Sequence, residues 1–245
     1  MPSVRDEAIV LRLSDYSESS QIVTLFGAVH GQVRLIAKGA RRSTKTRVAP
    51  VFDLLEQGDV QFIPAHGDAQ LAILTDWAQR DAFAGLRREL LRLYGGLYAA
   101  ELVVALTEEH DPHPALYEAL LALLRGLNDL PHPAPQIPTF QAALLDAIGY
   151  APDLTGCVSC RRPVPADSPA FFSARAGGLL CRDCEMHHTE KWRPPPGVLR
   201  TTPATGNPLS WFELFDYHLT QTAGRPFKTA AHVKAALARR LPSGV

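Results

Sequence analysis

The stretch EAIVLRLSDYSESSQIVTLFGAVHGQVRLIAKGARRS, Glu7 to Ser43, decides how the chain begins to fold. Its apolar runs EAIVLRL, QIVTLFGAV and GQVRLIAKGA are short and rich in Val, Ile, Leu and Phe, the composition of strands. Between them lie SDYSES and HG, which carry turn chemistry. VFDLLEQGDVQFIPA and AQLAILTDW continue the pattern to Trp77, with GD and HGD as further turns. Five or six strands and no helix are therefore predicted over residues 1–80. A small closed barrel fits that count, because closure removes the edges an open sheet would expose.

Beyond Asp81 the period changes from two to between three and four. In FAGLRRELLRLYGGLYAAELVVALTEEH apolar residues recur at Phe83, Leu86, Leu90, Leu93, Leu97 and Leu106, which predicts one amphipathic helix closed by HDPHP. ALYEALLALLRGLNDL predicts a second helix, and the Pro-rich PHPAPQIP a break before a third, TFQAALLDAIGY. LSWFELFDYHLTQTAG and TAAHVKAALARRL predict two more. The Leu and aromatic stripes of this half are assigned to core packing. The fold class expected is α+β, with several domains.

The 245 residues carry 25 Lys or Arg and 25 Asp or Glu, yet the charges are segregated. From Ser19 to Phe52 there are six cations and no carboxylate; from Tyr217 to Val245 there are five and again none. Such segregation suggests an anionic partner. No apolar run approaches the roughly 20 residues a membrane helix needs. MPSVRDEAIV has no apolar stretch followed by a cleavage site, so a cytoplasmic protein is expected.

All four cysteines fall into two C-x-x-C pairs, CVSC (Cys157, Cys160) and CRDC (Cys181, Cys184), with 20 residues between them. Two such pairs read as a zinc site. Four thiolates complete a tetrahedron around Zn²⁺ and leave no position for water, so one structural ion is expected. The intervening segment holds too little apolar surface for its own core, and metal binding would supply folding energy on the order of 10 kcal/mol. A disulfide framework is disfavoured in a cytoplasmic chain, and a thioredoxin-type redox pair needs only one C-x-x-C. His187 and His188 stand close to Cys184 but are read as solvated.

Catalytic patterns are absent. There is no phosphate loop, H-E-x-x-H, G-x-S-x-G or G-x-G-x-x-G. EEHDPH, Glu108 to His113, is read as the polar end of a helix rather than a reactive cluster. The chain is expected not to be an enzyme.

The segment DYSESSQIVTLF followed by AKGARR, and after it a helical body interrupted by four cysteines, resembles the RecO family of bacterial recombination mediators over essentially the whole chain. The resemblance implies an N-terminal OB-fold, a helical domain and a structural zinc. It implies binding of single- and double-stranded DNA and annealing of complementary strands without ATP. It also implies partnership with RecR and with the C-terminal tail of SSB, through which RecA is loaded, and a cytoplasmic, nucleoid-associated location. On this reading residues 1–80 form the OB-fold DNA-binding domain, 81–152 and 196–245 the helical domain, and 153–195 the zinc-binding insertion.

An OB barrel offers a groove in which cations track phosphates while aromatic faces stack bases. Arg34 and Lys38 fall on one face of a strand, and Arg41, Arg42, Lys45 and Arg47 extend the stripe into a loop. These six are the expected DNA-binding residues. Arg87, Arg88, Arg92 and Arg125 are candidates for the acidic tail by charge alone. Arg225, Lys228, Lys234, Arg239 and Arg240 form a second basic segment whose role is left open. A zinc adaptor that binds only proteins, and a metal-dependent nuclease, are the alternatives; the basic segments lack the carboxylates a nuclease needs.

Overall fold

Strand β1 (Val4–Asp15) carries apolar side chains on both faces because both are covered. Ala8 and Val10 point into one buried cluster with Val23, Leu25, Val33, Leu35, Val60 and Phe62, which is the barrel interior. Ile9 and Leu11 point the other way, into a second cluster made mostly of helix residues. A continuous apolar run is the signature of a strand buried on two sides.

The computed structural model describes residues 2–18, 20–38, 52–66, 70–165, 170–195 and 197–240. Within them β1 is followed by β2 (Gln21–Gly27), β3 (Gly31–Ala37), β4 (Gln57–Ile63) and β5 (Ala72–Asp81). The barrel closes in the order β1-β2-β3-β5-β4, and only β3 and β5 run parallel. This is the small closed barrel that the apolar runs predicted, and it is OB-like, as the resemblance implied. Among the described residues the barrel has five strands, within the five or six expected, but GD is no turn: Gly58 and Asp59 lie inside β4. Gly58 is needed there, since a Cβ would stand 2.6 Å from the Ala78 carbonyl oxygen and 2.7 Å from the Trp77 ring.

Among the described residues five α-helices follow: α1 (Leu90–Leu106), α2 (Pro114–Asp129), α3 (Gln136–Ala147), α4 (Pro208–Ala223) and α5 (Ala230–Ala238). The single helix expected from Phe83 is broken. Ala84–Arg88 is a 3₁₀ turn, and Glu89 is extended before α1 starts. Phe83, fully buried with φ 42°, directs the chain into the bundle, and its N–H donates to Asp81 at 2.7 Å. Helix α3 begins three residues earlier than expected, taking Pro138 into its first turn, where no intrahelical N–H bond is lost.

Between α3 and α4 a short hairpin, β6 (Phe171–Ser173) and β7 (Gly178–Leu180), carries the cysteine region. It is fastened to the bundle by Glu190, which accepts from Ser173 Oγ (2.6 Å), from the backbone N–H groups of Ala174 and Arg175, and from the Tyr217 hydroxyl of α4. Trp192 stacks on Tyr217 with ring centroids 5.4 Å apart. Ala170, Phe172 and Leu179 join the same buried cluster as the helices. The barrel is held likewise: Phe26 packs on Tyr117 of α2, whose hydroxyl donates to Glu7 at 3.1 Å.

Candidate nucleic-acid interface and metal centre

The register of β1 against β2 slips by one residue between Val10 and Arg12. Val10 pairs with Leu25 and Arg12 with Thr24, so Leu11 is the extra residue of a β-bulge. Strict alternation from Ala8 and Val10 would aim Arg12 into the barrel. The bulge reverses the phase: Leu11 enters the helix core, Leu13 turns inward, and Arg12 is exposed outside. Arg12 then heads an in-register row, Arg12–Thr24–Arg34, across β1, β2 and β3.

The next row, Ser14–Ile22–Ile36–Ile73, runs onto β5 and gives a half-buried aliphatic stripe, with Ile73 exposed at 38%. Lys38, exposed in the turn after β3, and Tyr16, also exposed, flank it. Arg12 and Lys38 make no ion pair among the described residues; Arg34 does, to Glu109 at 3.4 Å. The face is therefore cationic with an apolar stripe. Its apolar stripe is aliphatic, with the exposed Tyr16 ring at its edge. Elsewhere on the barrel, Arg5 and Asp6 of β1 with Asp59 and Asp76 line a hollow of about 510 Å³ of mixed charge, where Asp59 pairs with Arg80 at 2.7 Å. Of the six residues the sequence assigned to DNA, Arg34 lies in the row that Arg12 heads, and Lys38 stands four residues further along, in the turn after β3. Arg41, Arg42, Lys45 and Arg47 lie outside the described residues.

The other basic candidates differ in availability. Arg92 is buried and donates to the carbonyls of Leu127, Asn128 and Leu130, closing the C-terminus of α2. Arg87 is paired with Asp53, while Arg88 and Arg125 are exposed. In the second basic segment Lys234 pairs with Glu213 at 2.7 Å, Arg240 with Glu89, and Arg225 lies over the Phe227 ring. Two of its five cations are thus paired with carboxylates of α4 and of the turn before α1.

The four cysteines converge. Their sulfurs all lie within 4.8 Å of one another, and Cys160 and Cys181 Sγ are 3.8 Å apart. Ligands about 2.3 Å from a tetrahedral ion are separated by about 3.8 Å, so the four fit a metal of zinc's size. The first pair is set by a tight turn in which Cys157 N–H donates to Arg162 O and Arg161 N–H to Cys157 O, with Arg161 at φ 62°. In the second pair the N–H groups of Cys184 and Glu185 both reach Cys181 O. The Arg162 backbone N–H, then its guanidinium, hold the Cys160 thiol down to about 6. Cys184 is pushed up to about 12 by sharing its proton with Cys181 and by burial. Four thiolates this close repel one another unless a cation balances them. His187 and His188 are not in the cluster; His188 Nε2 contacts Ser159 Oγ at 2.8 Å.

Reasoning from sequence missed Arg12, Glu109 and Glu190. The uninterrupted IVLRL was the available signal for the first, since a two-sided strand that then exposes Arg must change phase.

The chain matches two family models, Recombination protein O N terminal over residues 1–83 and Recombination protein O C terminal over residues 87–224. It is 33% identical to the DNA repair protein RecO of Anaeromyxobacter sp. (strain K) over 234 residues, 94% of this chain and 86% of that one. It is 32% identical to the protein of that name from Halalkalibacterium halodurans over 228 residues, and 30% identical to the one from Bacillus subtilis over 230; both alignments cover 93% of this chain and 84% of the relative. Barrel, bundle and relatives agree: the chain belongs to the RecO (recombination protein O) family.

Proposed function

We propose that the protein binds single- and double-stranded DNA on the outer face of β1, β2 and β3, anneals complementary strands without ATP, and serves DNA repair and homologous recombination. It acts with RecR on SSB-coated DNA, taking the SSB tail on its helical domain, and so loads RecA. Its place is the cytoplasm, on the nucleoid. The domains run 1–80, 81–152 with 196–245, and 153–195.

The observation that carries this reading is the row Arg12–Thr24–Arg34 beside the isoleucine stripe. Cations in line with an apolar strip suit a backbone whose phosphates lie on one side and whose unstacked bases lie on the other. Nothing in the row reads base edges, so binding is sequence-tolerant and salt-sensitive. Lys38, Arg41, Arg42, Lys45 and Arg47, which follow Arg34 in sequence, are the further phosphate contacts of this reading.

The ion held by Cys157, Cys160, Cys181 and Cys184 is one structural Zn²⁺. When bound it supplies a cross-link between two turns that are otherwise tied by the bond from Val158 N–H to Leu179 O and by the Arg162–Asp183 pair at 3.1 Å. Arg162 orients Cys160 and offsets the charge of the thiolates.

The test is a salt titration of single-strand affinity for Arg12→Gln/Lys38→Gln and for Arg41→Gln/Arg42→Gln/Lys45→Gln/Arg47→Gln. Each lost phosphate contact is expected to flatten the log–log slope by roughly 0.7, equally for unrelated sequences, with annealing falling in parallel. Wild-type slopes and annealing in both variants, still folded, would place the interface elsewhere and favour the protein-only adaptor.

A further inference from the structure

The acidic segment Glu108–Asp111 between α1 and α2 lies against the interface. Glu109 forms a parallel bridge with Gln32, and the His110 N–H donates to Gln32 O at 2.9 Å. β5 pairs with β3 only at Leu35 and Ile36, so this loop covers the part of the β3 edge that β5 leaves bare. Bridged residues share a face, and Gln32 and Arg34 lie two apart on β3. Glu109 is thereby aimed along the outer face, and its carboxylate meets Arg34 Nη1 at 3.4 Å.

Seating is enforced by backbone rather than by that ion pair. Gly31 has φ 64°, and a Cβ on it would stand 2.1 Å from the Asp111 carbonyl oxygen. His110 also takes a positive φ, 63°. The Glu109 backbone is consequently held against β3 whether or not the pair forms, while its partly exposed side chain can turn.

We propose that Glu109 is an intramolecular stand-in for phosphate. It occupies Arg34 when no DNA is bound, must be displaced when a strand enters the row, and returns to Arg34 as the strand leaves. This inference rests on the interface proposed above. Both side chains are partly exposed, 40% and 36%, so the exchange needs only rotation of the two ends. The consequence is a strand held more loosely than the cations alone would hold it, which suits a protein that must release DNA after pairing it.

The experiment measures a fluorescein-labelled oligothymidylate across a salt series with Glu109→Gln, Arg34→Gln, the double variant, and Glu108→Gln as a control for net charge. Glu109→Gln is expected to bind about two- to fivefold more tightly at low salt, the range that an exposed ion pair is worth. Its strand dissociation is expected to slow by a similar factor. The double variant should match Arg34→Gln alone, and Glu108→Gln should change affinity less than Glu109→Gln. An unchanged Glu109→Gln beside a weakened Arg34→Gln overturns the stand-in and keeps the interface. An equal gain from Glu108→Gln also overturns it, since charge alone would then act. Wild-type affinity and slope in Arg34→Gln would remove this residue from the interface and the stand-in with it.

Discussion

At the scale of single residues, most buried polar groups here fasten elements together. Tyr98, fully buried in α1, donates to Asp216 Oδ1 at 2.8 Å and accepts from Gln141 Nε2 at 2.9 Å, tying α1, α3 and α4. Burial raises the Asp216 carboxyl, against the pull of Tyr98 and Lys234. A raised carboxyl pKa means that the folded state holds the proton more tightly than the unfolded one. The associated stability is present below the unfolded value of 3.8 and is lost as pH rises through the folded value. Asp216→Asn keeps an acceptor for Tyr98 and removes the buried charge. Its melting temperature should therefore equal or exceed wild type at pH 7, with the gap closing toward pH 4. A variant uniformly less stable at both pH values would contradict this. None of the network was legible beforehand, because Tyr98, Gln141 and Asp216 are far apart in sequence and each reads as an ordinary helix residue. Arg92 was misleading for a related reason: charge count cannot tell a free guanidinium from one closing a helix.

Elements show where backbone geometry overrides side-chain pattern. The strands were readable because their composition and turns agree, and the helices because their apolar stripes persist for several turns. The bulge at Leu11, the break at Glu89 and the docking of the Glu108–Asp111 loop were not, since each depends on a neighbour supplied by distant sequence. Gly31→Ala tests the docking. A left-handed φ costs a non-glycine residue about 1–3 kcal/mol, and the clash with Asp111 adds to it, so the variant should lose at least that much stability and free the loop from β3. Faster amide exchange at His110 is the direct readout; unaltered protection there would refute the tight approach. The cysteine turns make the complementary case, being fully legible by spacing. Cys157→Ser or Cys181→Ser should lose the metal and expose the segment from 153 to 195 to protease, while the barrel still binds DNA. One full equivalent of zinc retained by either variant would rule out four-thiolate coordination.

Over the whole molecule, barrel and bundle share apolar surface, so they should unfold together. Ile9, Leu11 and Phe26 belong to the helix cluster, and Leu11 is 5% exposed. Leu11→Ala should cost about 2–5 kcal/mol and lower the melting of barrel and helix signals alike; two separate transitions would show that the contact does not couple them. The composition of residues 1–80 announced a barrel but not which of its walls would be dry on the outside, because that wall is defined by helices encoded later. The same arrangement bears on biosynthesis. Phe26 leaves the ribosome roughly ninety residues ahead of Tyr117, its partner in α2, an interval of about 5–20 s at ordinary elongation rates. The barrel closes only once β5 ends at Asp81, and over the roughly 36 residues from there to Tyr117 it must display Ile9, Leu11 and Phe26 as a greasy wall that α2 does not yet cover. A slow stretch of message between the two would lengthen the exposure, so the yield of soluble protein should be set by translation speed and chaperone supply as much as by the stability of the finished fold.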